Sequence, residues 1–207
     1  MRGVVVVHLD ESCLGNGRDG ATPGGAGALL EAEAGGRVER RDLAVAEADT
    51  TNNRMALAGA TLVLEHLAAR GRAPAVICVS DSEYLVRGMR EWVPGWAARG
   101  WRRKGGPIEN LERWQRLYRA AAAVAVQWTW VRGHAGHPKN EYANDLAVRA
   151  ARTQAGTGGV VESGWEAWLA AARARGRYLD YDADAAYRAL AAKAGGTLAF
   201  SEAEPRA

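Results

Sequence analysis

Apolar residues run almost unbroken from Val4 to Leu9, and the run closes on Asp10-Glu11-Ser12-Cys13. A short apolar stretch with polar residues at its end predicts a buried strand over residues 4–13. The Gly- and Asp-rich residues 14–25 predict a loop. Residues 26–34 and 37–46, on either side of Gly35-Gly36, predict a hairpin. Residues 53 to about 69 then carry Leu57, Leu62, Val63, Leu64 and Leu67 close to the helical period. Residues 75–79 form a short apolar strand between Pro74 and Ser80-Asp81-Ser82. Residues 83–90 and 107–122 predict helices, 124–131 alternate as a fifth strand, 133–138 are a Gly- and His-rich loop, and 139–152 predict a helix. Three strands, helix, strand, helices, strand, helix is the order of an α/β fold: a mixed sheet with helices on its faces.

Residues 154–164 are glycine-rich, and two helix-like stretches follow at 165–175 and 183–193. The expected organisation is a domain over 1–152, a linker over 153–164 and a short helical C-terminal appendage over 165–207. In the appendage Arg173, Arg175 and Arg177 are offset by Glu166, Asp180, Asp182 and Asp184, so it is no basic arm. Its expected role is to pack on the domain or on a protein partner.

Composition narrows the class. The 207 residues are 48% hydrophobic and 25% charged with a formal charge of +3, which fits a globular protein and not a nucleic-acid tail; arginine clusters only locally. Cys13 and Cys78 lack metal-ligand spacing and are expected to be buried, reduced thiols. No apolar run approaches the roughly 18 residues of a membrane span, and the valine run after Arg2 is too short for a signal peptide. A cytoplasmic monomer is the expectation.

The chemistry gathers at four places. Thr51, Asn52 and Asn53 are good helix caps ahead of the long apolar helix, and free N–H groups of a first turn suit a phosphate. Asp10 and Asp81 each end an apolar strand, where converging carboxylates suit hard divalent cations; taken singly, each reads as a turn or cap residue, and it is the pair beside a phosphate-ready helix start that points to a site. His134 lies in the loop Gly133-His134-Ala135-Gly136-His137-Pro138, either as a proton carrier or as a surface histidine. Residues 90–104 interleave Trp92, Trp96 and Trp101 with Arg90, Arg99, Arg102, Arg103 and Lys104. That pattern is either a nucleic-acid handle or an amphipathic helix with tryptophans in the core and arginines in solvent.

Together, these residues resemble ribonuclease H, type 1, in its bacterial form with a basic protrusion. The motifs are Asp10-Glu11-Ser12-Cys13-Leu14-Gly15-Asn16, Thr50-Thr51-Asn52-Asn53-Arg54-Met55-Ala56-Leu57, Ser80-Asp81-Ser82-Glu83-Tyr84, Trp114-Gln115-Arg116-Leu117, Trp130-Val131-Arg132-Gly133-His134-Ala135-Gly136-His137-Pro138 and Asn140-Glu141-Tyr142-Ala143-Asn144-Asp145-Leu146-Ala147. The resemblance implies a ribonuclease H-like fold with a five-stranded mixed sheet flanked by helices. It implies cleavage of the RNA strand of an RNA–DNA hybrid with two magnesium ions held by four carboxylates. Asp10 and Asp81 match two of the four, and His134 matches the loop histidine of product release or proton transfer. Cys13, Asn16, Asn52 and Asn53 match positions on the hybrid backbone. Glu83 stands at a substrate position where the family has glutamine. Trp92, Trp96, Arg99, Trp101, Arg102, Arg103 and Lys104 match the protrusion that grips the DNA strand.

The departures fall on the metal site. Ala56 stands where the family has glutamate and Asn144 where it has aspartate; Glu11 replaces a glycine, and residues 17–23 lengthen the first loop. Asp145 follows Asn144 a third of a turn round the helix and is expected to point away. Glu11 follows Asp10 in a strand and is expected to face the other side of the sheet. Glu83 is within swinging reach of Asp81. Two missing anions predict weaker Mg2+ or Mn2+ occupancy and feeble or absent cleavage, with a hybrid-binding pseudo-enzyme as the alternative.

Overall fold

The computed structural model describes residues 3–15, 22–70, 74–133 and 136–194. Its sheet is mixed, in the order β5-β4-β1-β2-β3-β6. β1 (Val4–Cys13) pairs antiparallel with β2 (Gly24–Ala34) and parallel with β4 (Ala75–Ser80). β2 continues into β3 (Arg37–Glu47) through Gly35 and Gly36, both at positive φ (57° and 78°), the backbone that a tight hairpin turn demands. β5 (Ala125–Trp130) adds parallel to β4.

The expectation of five strands is corrected to six. Val161–Glu162 forms β6, antiparallel on the edge of β3. The glycine-rich segment before it also lies along β3: Thr157 N donates to Ala44 O at 2.9 Å, and Ala44 N donates to Thr157 Oγ1 at 3.0 Å. The free edge of β3 supplies the pairing that the segment's own sequence does not encode.

Strand alternation divides β1 between two layers. Val7 and Leu9 join the core beneath α1 (Asn52–Ala68) and α4 (Leu111–Ala122), with Ala28, Leu30, Leu57, Leu64 and Trp114. The opposite face receives α5 (Pro138–Thr153), which begins with Pro138 at a first-turn position that needs no N–H. Gly25 and Gly27 let α5 settle directly on β2, since a Cβ at either would stand 2.3 Å from the carbonyl of Ala147 or Ala143. α6 (Trp165–Ala174) and α7 (Ala183–Ala194) complete that layer. Trp165 and Leu169 pack with Leu29, Tyr142 and Leu146, while Tyr187 and Ala194 cover Val6, Ile77 and Val79.

The helix expected over 83–90 is longer and interrupted. α2 (Glu83–Arg87) passes through a π turn at Gly88–Trp92 into α3 (Val93–Ala98). Gly88 sits against the Trp114 indole, where a Cβ would come within 2.1 Å of the ring. α4 starts later than residue 107 because Asn110 adopts a left-handed φ of 55°. Among the described residues, no helix is long and apolar enough to cross a membrane.

Candidate active site

The C-terminal ends of β1 and β4 bring Asp10 and Asp81 together. Asp10 is buried at 7% exposure and its carboxylate is held by two donors: Glu11 N to Oδ1 at 2.7 Å and Asn140 Nδ2 to Oδ2 at 2.9 Å. Burial and the Asp81 charge nevertheless push its pKa up to about 7, against those two hydrogen bonds. Asp81 is half-buried; Trp130 Nε1 donates to its backbone carbonyl at 3.0 Å, and a Cβ on Gly133 would lie 2.2 Å from its Oδ2. The glycine therefore lets the loop backbone close over the carboxylate.

Glu11 belongs to the same electrostatic cluster. Burial, then the Asp10 charge, then that of Asp81 raise its pKa to about 8, opposed by a side-chain hydrogen bond with Ser82. Alternation does send Glu11 to the α1 side, with Leu9 and Cys13. At the end of the strand that side still borders the site, because Ser82 and Asp81 lie just beyond β4. Cys13 is half-buried, and burial with the Glu11 charge lifts its thiol to about 11, so it stays protonated at neutral pH.

α1 starts at Asn52, capped by Thr51 Oγ1, which accepts from Arg54 N at 3.3 Å. Asn52 and Asn53 are half-buried at its first turn, and Asn52 Oδ1 is buried with no partner. Ala56 packs into the core at 4% exposure, among residues of the α1 layer. Asn144 is half-buried on α5, one turn beyond Asn140 on the same face. Asp145 is exposed and its Oδ2 takes the Trp168 indole N–H at 2.6 Å, so it turns to α6 and away from Asp10. Glu83 is exposed at the start of α2. His134 and Asn16 lie outside the described residues. Among those described, no three histidine, cysteine or acidic side chains converge into a metal-ion cage.

The tryptophans of residues 90–104 face inward. Trp96 is buried, 6.0 Å from both Trp92 and Trp114, and the half-buried Trp101 meets Tyr118 at 5.6 Å. Of the two readings open for these rings, the packing favours the core one: Trp96 is consumed by the core, and the half-buried Trp92 and Trp101 pack against it. Arg90, Arg99, Arg102, Arg103 and Lys104 remain exposed, leaving a handle made of charge.

Two features were missed in the sequence. Asn140, the buried donor to Asp10, was legible only as a motif letter. A buried ionic group joins Glu31 to Arg40 Nε (3.0 Å), Lys139 Nζ (2.7 Å) and His8 Nε2 (3.5 Å), behind Asp10 on the α5 face. Its sequence signal is faint: a histidine two residues before Asp10 in an apolar run.

The family model for RNase H matches residues 2–152. Ribonuclease H of Xanthomonas campestris pv. campestris (strain 8004) is 42% identical over 153 residues, 73% of this chain and 95% of that protein. Ribonuclease H of Roseobacter denitrificans is 45% identical over 142 residues, 68% of this chain and 90% of that protein. Among solved structures, LC9-RNase H1, a type 1 RNase H with the type 2 active-site motif, is 51% identical with a TM-score of 0.77, covering 82% of each chain. The foamy viral protease-reverse transcriptase in complex with RNA/DNA hybrid, 16% identical over 73% of this chain and 20% of its own, shares the fold at a TM-score of 0.59. The sheet order, the paired aspartates at the ends of β1 and β4, and the matched length of residues 2–152 lead to one conclusion: the chain belongs to the ribonuclease H family.

Proposed function

We propose that the chain is a metal-dependent endoribonuclease that hydrolyses the RNA strand of RNA–DNA hybrids, with Asp10, Glu11 and Asp81 as its metal-binding carboxylates. The observation that carries this reading is the electrostatic coupling of Glu11 to both aspartates. Asp10 and Glu11, both raised by burial and by the carboxylates beside them, form with Asp81 a site short of positive charge, and a divalent cation is the natural complement. Family members work with divalent metal ions.

The donor types suit Mg2+ or Mn2+, hard oxygens with the amide oxygen of Asn144 as a neutral fourth group, although among the described residues the three carboxylates do not converge into a cage. The open arrangement agrees with a cation whose remaining ligands are substrate phosphate oxygens, as Mg2+ commonly uses one or two carboxylates plus phosphates. Bound there, the ion supplies charge neutralisation at the scissile phosphate and a more acidic water. Ala56 then represents a moved anion, with Glu11 reaching the site from β1 on the α1 side. LC9-RNase H1, a type 1 RNase H with the type 2 active-site motif, supports the reading that a type 1 fold can carry an active-site motif other than its usual one.

The chain's other groups bind and orient. In this reading Asn16, Asn52, Asn53 and the main chain at Cys13 meet the hybrid backbone, with Glu83 beside them. Arg99, Arg102, Arg103 and Lys104 attract the DNA strand, and His134 moves a proton or speeds product release. The compact Ala56 site and the lack of a pre-formed cage among the described residues favour a second reading, hybrid binding without cleavage.

A labelled hybrid incubated with the full chain in Mg2+ and in Mn2+ separates the two. Cleavage is expected, and Glu11→Gln is expected to lower it by roughly a hundred- to a thousandfold, the loss typical of one well-placed electrostatic group. No cleavage above a protein-free control, with hybrid bound more tightly than duplex DNA at equal salt, leaves the binding reading.

A further inference from the structure

Glu31 has no solvent exposure, and two cations of the family-matched region lie on it: Arg40 Nε at 3.0 Å and Lys139 Nζ at 2.7 Å. One buried anion does not balance two buried cations, and an unmatched buried charge is costly. The complement comes from beyond residue 152. Asp184 Oδ1 accepts from Arg40 Nη2 at 2.5 Å, Glu166 Oε1 from Arg40 Nη1 at 2.9 Å, and the Ala183 carbonyl from Lys139 Nζ at 2.8 Å.

The same extension grips α5 over its first turns. Lys139 is held by Ala183, Glu141 pairs with Arg177, and Asp145 accepts from Trp168 Nε1 at 2.6 Å. The Tyr142 ring lies edge-on to Trp165 at 5.4 Å and to Trp168 at 5.5 Å. Between these anchors the helix presents Asn140 to Asp10, with Asn144 one turn further on the same face. Both groups are neutral amides. A cation at the site draws on them far less than on a carboxylate, so bound metal does little to seat this helix.

We propose that the C-terminal extension is a positioning clamp, in which Trp168, Arg177, Ala183 and Asp184 fix the first turns of α5 and thereby the approach of Asn140 and Asn144 to Asp10. Its kinetic consequence rests on the hydrolase reading above; its structural consequence does not.

The test uses the full chain with Trp168→Phe, which keeps the ring and removes the indole N–H, and with Trp168→Phe/Asp184→Asn. Amide hydrogen exchange resolved by peptide, kcat and KM on hybrid, and calorimetric Mn2+ binding are measured together. The expected result is exchange in residues 139–146 faster by about tenfold, the scale of losing one hydrogen bond to a charged group, with β2 and α1 unchanged. kcat is expected to fall with KM unchanged, and Mn2+ affinity to stay as in the wild type, because metal and helix are only weakly coupled. Unaltered exchange in residues 139–146 overturns the clamp, as does acceleration spread evenly over β1, α1 and α5, which marks a merely structural appendage. Should the double variant not fold, Trp168→Phe alone decides. If the wild type cleaves nothing, the hydrolase reading fails while the exchange measurement still decides the clamp.

Discussion

Asn140 Nδ2 donates to Asp10 Oδ2 at 2.9 Å while its own Oδ1 is buried without a partner. The bond favours the ionised carboxylate, against burial and the Asp81 charge that push Asp10 up to about 7. Asn140→Ala removes that donor, so the pKa rises further and the pH for half-maximal hybrid cleavage moves to the alkaline side. A hydrogen bond to a charged group contributes about 1.5–3 kcal/mol, so kcat at neutral pH is expected to fall roughly ten- to a hundredfold. A pH–rate profile in Mg2+ checks it; one superimposable on the wild type would disconnect Asn140 from Asp10.

The raised acids also make stability depend on pH. Asp10 moves from 3.8 to about 7 and Glu11 from 4.5 to about 8 on folding. The folded state therefore keeps protons that the unfolded chain has shed. The stability linked to these groups is fully present below about pH 4 and is lost as pH rises through 7 to 8. His8, whose pKa is lowered by burial from 6.5, acts in the opposite sense but only below that value. Between about pH 4 and pH 7 the Tm of metal-free protein is expected to fall relative to that of Asp10→Asn. Mg2+ should raise Tm more at the alkaline end, because it binds the ionised forms. Parallel thermal melts of the two proteins would defeat the assignment.

Gly27 is where α5 comes down on the sheet, and a Cβ there would meet the Ala143 carbonyl at 2.3 Å. Rigid backbone cannot yield as a side chain does, so Gly27→Ala must lift the helix that carries Asn140 and Asn144. Overpacking of this kind costs about 1–3 kcal/mol. The expected outcome is a lower denaturant midpoint together with lower kcat; a midpoint equal to that of the wild type would show that the helix tolerates the shift.

The strands, the hairpin at Gly35-Gly36 and the two aspartates at strand ends were legible because each is written locally, in a run, a turn or a motif. β6 was not, since Val161–Glu162 is a strand only by virtue of the β3 edge beside it. The tryptophans of the protrusion show why periodicity and composition fall short: interleaving of Trp and Arg is the same whether rings point in or out, and only the neighbours Trp114 and Tyr118 decide it. Glu31 and Lys139 lie 108 residues apart, and no local pattern joins them. Glu11 was placed on the correct side of the strand by alternation. What alternation omits is that a site at the end of a sheet is reachable from both faces.

The exposed charges of the protrusion predict a salt-dependent grip. Replacing Arg102, Arg103 and Lys104 by glutamine is expected to raise KM for hybrid and leave kcat unchanged. The slope of log affinity against log salt should flatten by about 0.9 for each phosphate that is no longer neutralised. Trp96→Ala should behave differently, costing about 3–5 kcal/mol of stability as a buried aromatic truncation, with the salt slope retained. An unchanged slope in the triple variant would take the handle away from these residues.

Whether Glu11 stands in for the acid missing at Ala56 can be asked of the protein directly. Both positions serve the α1 side of the site: Ala56 lies in the core layer with Leu9, and Glu11 continues that face of β1. If one carboxylate is needed there and its origin is immaterial, Glu11→Gln should cut cleavage by roughly a hundred- to a thousandfold and Ala56→Glu should restore a substantial part of it in that background. In the presence of Glu11, Ala56→Glu should bring no gain. It adds a buried carboxylate beside two acids already raised to about 7 and about 8, and further repulsion offsets any benefit to the metal. Asn144→Asp differs, because that position keeps only a neutral oxygen; an added anion there should lower the metal concentration for half-maximal activity. A double-mutant cycle over positions 11 and 56 measures the exchange, and coupling appears as non-additivity. Strictly additive effects, with no rescue of Glu11→Gln, would mean that the carboxylate on β1 does a different job from the one absent on α1.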